Sequence, residues 1–165
     1  HKIAYTSIKE IEIKIMEFVS VLNQQDLRQD DRESLESLLS SVRESVYAAK
    51  ILKDIKNDMN EFSESSSMTI HNIYDDIRGN ILYAIIIFIN YMEEEWTMEK
   101  CIEKFSKSDE ENKRIMKEAS LSISHKGINE KKVVSLLNTN RSVSIASHAL
   151  FEASKSVSLH FPLED

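Results

Sequence analysis

The chain is short of the residues that make turns. Its 165 residues include two glycines, Gly79 and Gly127, and one proline, Pro162. Hairpins and tight turns draw on these residues for backbone angles that others resist, so an all-β fold is poorly supported. Cysteine is nearly absent too. Cys101 stands alone, which excludes an intrachain disulfide framework and a cysteine-built zinc site. Positive charge is in deficit. The net charge is −7, which argues against a nucleic-acid partner, because phosphate contacts need clustered Lys and Arg. No signal peptide is visible. The most apolar run, "ILYAIIIFINYM" from Ile81 to Met92, is too short to span a bilayer and contains Asn90. We read it as a helix buried on most sides. Any exposed part of it would mark a surface for a homodimer or another partner.

What is present points to long helices. Hydrophobic residues make up 41% and charged residues 30%, enough apolar content for one domain, residues 1–165, with its own core. The series Ile8, Ile11, Ile15, Phe18, Leu22 steps by three and four, a helical stripe. A second series runs from Leu35 through Val46, Leu52 and Met59 to Phe62 without interruption. Asp30 or Asp31 should cap that helix, and "SESSS" (63–67) should end it. A third helix begins near Met68 and closes on the acidic run Glu93 to Glu95. Gly79 lies inside it, where it would permit a close helix contact or a slight bend. Thr97 should cap a fourth helix reaching Lys126. "SDEE" at Ser108 resembles a capping box, but continuity through it is preferred. Gly127 suits a helix end, and "INEKK" starts a last long helix through Val133, Leu136, Ile145 and Phe151. The expected fold is all-α, an antiparallel bundle of about five long helices joined by short connections. An extended coiled coil fits the number of loops less well.

Two stretches carry a family resemblance. "VYAAKILKDIKNDMNEFSES" (46–65) and "VVSLLNTNRSVSIASHALFEASK" (133–155) resemble the PhoU-like domain at the cytoplasmic end of bacterial sodium-dependent phosphate cotransporters. The first does so in Ala48-Ala49-Lys50, Leu52-Lys53-Asp54-Ile55 and Phe62-Ser63. The second does so in Leu136-Leu137-Asn138, Asn140-Arg141 and Ala149-Leu150. The resemblance implies a PhoU-like bundle that regulates phosphate transport rather than an enzyme. Its partner would be the transmembrane portion of the same transporter, and its place the cytoplasmic face of the cell membrane. The chain starts at His1 without methionine, which suits a domain excised from such a protein. A stand-alone PhoU-like adaptor in phosphate signalling is the alternative.

The candidate site residues follow. PhoU proteins hold iron or zinc through a Glu/Asp-x-x-x-Asp motif, which here places its aspartate at Asp54 and puts Lys50 where the first acid belongs. An ammonium cannot ligate a cation. Asp54 and Asp58, one helical turn apart, could instead supply two oxygens to a divalent or iron-type metal, which makes a metal-dependent helical protein a third reading. The plainer reading makes them exposed acids beside Lys50, Lys53 and Lys56. Asn138 and Asn140 are unfavourable in a helix interior, so they should serve a buried polar network or a partner contact. Arg141 could pair with Asp54 or bind an anion. His1, His71, His125, His148 and His160 show no metal spacing, and "HNIYDDIRG" and "HKG" are poor matches to a phosphotransfer histidine. No nucleophile elbow, oxyanion loop or phosphate-cradling glycine loop exists, so no catalytic residue, cofactor or small-molecule substrate is identified.

Overall fold

The protein is described here by a computed structural model covering residues 2–93, 95–125 and 129–158. These contain six helices: α1 (Lys2–Leu22), α2 (Gln29–Asp54), α3 (Lys56–Ser63), α4 (Met68–Met92), α5 (Met98–His125) and α6 (Glu130–Ser158). No strand occurs among the described residues. Gly127, Pro162, His1 and His160 lie outside them, as does the expected helix end at Gly127.

The sixth helix arises because the second apolar series is broken at Ile55. There φ is −84° and ψ is 0°, and the Ile55 N–H turns back to the Ile51 and Lys53 carbonyls. Met59 still donates to Ile55 O at 3.0 Å, so the break is a single tight turn. Neither glycine nor proline marks it. Beyond it, Phe62 is the one buried residue of α3.

Start and stop signals set the other ends. Thr97 Oγ1 accepts the Lys100 N–H at 3.3 Å, as expected of an N-cap, and Asn129 Oδ1 does the same for Lys131 at 2.9 Å. Asp30 and Asp31 do not cap α2. The cap position is Arg28, and the two acids lie in the first turn, where they complement the helix dipole. α5 is continuous through Ser108, which is buried in mid-helix instead of opening a new one.

Pair contacts fix the topology. Lys53 lies over the Tyr5 ring, Arg114 pairs with Asp76, and the Phe105 and Phe151 rings stand 4.5 Å apart. Ser40 meets Ser156, and Glu61 meets Lys132. Thus α1 with α2, α4 with α5, α5 with α6, and α2 with α6 are antiparallel. The hub is α6, which packs on α2, α3, α4 and α5, its pairing with α2 being the most extensive in the fold. Its buried face is rich in small residues, Ala146, Ser147, Ala149, Ala153 and Ser154, so neighbours can approach closely. The buried serines donate to their own helix: Ser147 to Val143 O at 2.9 Å and Ser154 to Leu150 O at 3.1 Å.

The apolar α4 run is therefore not the centre of the bundle. Ile77, Ile81, Ala84 and Ile87 are buried, but Leu82, Ile86, Ile89 and Met92 are exposed. Consecutive helical residues point about 100° apart, so "AIII" cannot all face inward. Gly79 does not serve a close contact. A β-carbon built there meets nothing within 4 Å. Gly79→Ala is expected to stabilise the protein by about 0.5–1 kcal/mol by removing unfolded-state freedom. A rise in thermal midpoint with an unchanged helical signal would verify this, and a fall would contradict it.

Candidate functional site

The most distinctive chemistry is a polar seam that crosses the apolar core at the middle of α5. Two asparagines reach α5 from opposite sides. Asn80 on α4 donates through Nδ2 to Ser108 O at 3.0 Å and accepts from Ser108 Oγ at 2.9 Å. Asn140 on α6 donates through Nδ2 to Asn112 O at 3.1 Å. Ser108 and Asn112 are one turn apart, so two successive turns of α5 are each gripped by one amide. All four residues are buried. Two oxygens in this seam, Asn112 Oδ1 and Asn140 Oδ1, and Thr139 Oγ1 on α6 have no hydrogen-bond partner among the described residues and are sealed from the surface. Each such group costs about 1–3 kcal/mol. The seam therefore trades stability for a defined fit of α4, α5 and α6.

Two shallow grooves flank the seam on the α5–α6 side. One, of about 230 Å³, lies against Phe105, Asp109, Asn112, His148 and Phe151. The other, of about 390 Å³, lies against Asp109, Lys113, Met116, Asn140, Arg141 and Ser144. Asp109 stands between them, 3.2 Å from His148 Nε2 and 3.7 Å from Lys113 Nζ. Arg141 is exposed and makes no ion pair among the described residues. The orphaned asparagine oxygens are themselves sealed from solvent, so a groove ligand would meet the other aromatic, polar and charged atoms that line each groove.

The sequence-predicted residues separate. Asn140 belongs to the buried network. Asn138, two residues away and on another face, is exposed. Arg141 borders the α5–α6 groove with Asp109 and does not meet Asp54, whose carboxylate lies 3.8 Å from Lys53 Nζ. Asp54 is the last residue of α2 and Asp58 belongs to α3, so the Ile55 turn falls between them and they do not share one continuous helix. No group of three or more His, Cys, Asp or Glu suited to a metal occurs among the described residues. The seam residues that sequence reading missed are Asn80, Ser108 and Asn112. Asn80 carried a signal, since it interrupts the apolar face between Ile77 and Ile81. Ser108 and Asn112 were masked by their likeness to a cap and a polar surface.

The Cys101 thiol is fully buried, and burial raises its pKa, which suppresses the reactive thiolate. Outside the seam some surface charges form a local cluster. Arg114 donates to Glu111, Glu118 and Asp76, and this holds the Glu111 carboxyl below its ordinary range. No described helix is long and apolar enough to cross a membrane. No family model, curated protein or solved structure matches the chain.

Proposed function

We propose that this chain is a regulatory, non-catalytic helical domain of the PhoU-like kind, attached to a sodium-dependent phosphate cotransporter. It would act at the cytoplasmic face by docking its bundle on the transporter's membrane portion. One observation carries the reading. The two stretches that resemble the family fall on α2–α3 and α6, far apart in sequence, and α2 with α6 is the most extensive helix pair in the fold. Lys132, just before the second stretch, meets Glu61 within the first at 3.5 Å. The helices that carry the two stretches are neighbours, which supports the reading.

The test uses the natural reading frame in cells stripped of their own phosphate uptake. Sodium-dependent uptake is expected, and deleting this segment should change its response to phosphate supply severalfold. A frame with no membrane helices and no uptake would favour the stand-alone adaptor. Uptake indifferent to the deletion would end the regulatory reading.

A further inference from the structure

We infer that the outer face of α1 and α2 is a homodimer interface, which a second copy of this chain covers about a two-fold axis. The best apolar stripe of α1 is left largely in water. Ile11 is 58% exposed and Phe18 63%, while Val19 is buried. Among the helices, α1 packs on α2 alone. Ile15, Val19 and Leu22 are partly or fully buried, while Ile11 and Phe18 stand free. Beside it lies an apolar groove of about 350 Å³, lined by Ile8, Ile11 and Ile15 of α1 and by Leu38, Val42 and Val46 of α2. Met92 and Val157 close one end of it.

Three arguments select a second copy. First, ridge and groove stand side by side on one face. A two-fold contact needs a self-complementary patch, and here the Phe18 ridge of each copy can enter the groove of the other. Second, the size fits. At 1.5 Å per residue α1 is about 31 Å long, and with α2 some 8–10 Å away the face measures roughly 30 by 20 Å, about 600 Å² before corrugation. A standard interface takes about 800 Å² from each copy, so this face supplies most of one. Third, α1 balances Lys2, Lys9 and Lys14 against Glu10, Glu12 and Glu17. A membrane-surface helix wants a basic face, which α1 lacks.

The experiment is sedimentation equilibrium on the 165-residue chain across the micromolar range. The wild type is expected to be a dimer. Phe18→Glu and Ile11→Glu each place two carboxylates in the interface and should weaken dimerisation by about 100-fold or more. Both sites are more than half exposed, so the helical circular dichroism should not change, and either variant alone suffices if the other misfolds. Leu82→Glu on α4 should leave the dimer intact. A wild type that stays monomeric throughout would overturn the inference and would leave the face to a different protein or to another part of a longer chain. A dimer that survives both α1 substitutions, or one broken by Leu82→Glu instead, would overturn it equally.

Discussion

Phe62→Ala is expected to cost about 3–5 kcal/mol of unfolding free energy. Total stabilities of small domains are about 5–15 kcal/mol, so this one change would bring the protein near its limit. The side chain is 1% exposed and is the one buried residue of α3. It belongs to the same core as Ile70, Ile73 and Leu136, on the two helices α4 and α6 that flank α3. Helix α3 has only eight residues, too few to persist without tertiary contacts. Truncation therefore removes the phenyl's transfer free energy, leaves a cavity and undocks the helix. Denaturant unfolding followed by circular dichroism would give the loss. Hydrogen exchange would show it concentrated at α3 and the facing turn of α4. A loss below about 1 kcal/mol would mean that α3 is not anchored by this ring.

Asn140→Asp should be about as damaging at neutral pH, and its cost should depend on pH. The amide donates to Asn112 O and is sealed from water. An ionised carboxylate there donates nothing and has no cation beside it in the seam. Breaking a buried polar arrangement in this way costs about 3–5 kcal/mol. Burial favours the neutral acid, so the folded-state pKa of the introduced carboxyl would lie above the unfolded value of about 3.9. The unfolded chain then loses its proton first as pH rises. Stability relative to wild type is highest below the unfolded pKa, where the protonated acid can again donate to Asn112 O. It falls as pH rises through the folded pKa. Asn140→Leu is the contrasting variant. It removes an orphaned oxygen along with the donor, and Asn112 O keeps its own helical N–H, so it should be nearly neutral at every pH. If the two variants lose equal stability at neutral pH, charge burial is not the cause.

The residues that made the fold legible are those with strong local rules. Thr97 caps α5, Asn129 opens α6, and the three-and-four spacing marks α1, α2 and α4. The antiparallel order follows from short connections. The Ile55 turn was not legible, because no breaker residue sits there. The central place of α6 was hidden for a related reason. Its inward face is built from alanine and serine, so its apolar pattern is weak although it touches four helices. The α1 stripe was read correctly as a helix, but periodicity gives the apolar face without saying what covers it. Of the site, Asn140 could be singled out because asparagine is costly inside a helix. Its acceptor on α5 could not, since a backbone carbonyl has no signature in sequence. Asp54 and Asp58 were expected one turn apart on a single helix, and the Ile55 turn between them carries no breaker residue to announce it.

The seam also determines how α6 can move. Its serines carry their acceptors with them, because Ser147 and Ser154 bond within their own helix. They would ride along unchanged if α6 slid. Asn140 would not. A slip of one turn, about 5.4 Å, toward Ser108 would present its amide to a carbonyl already taken by the α5 helix bond and by Asn80. A bundle greased by serine and alanine is thus stopped by two amides. Asn140 sets the register of α6 on α5, and Asn80 already occupies the neighbouring acceptor.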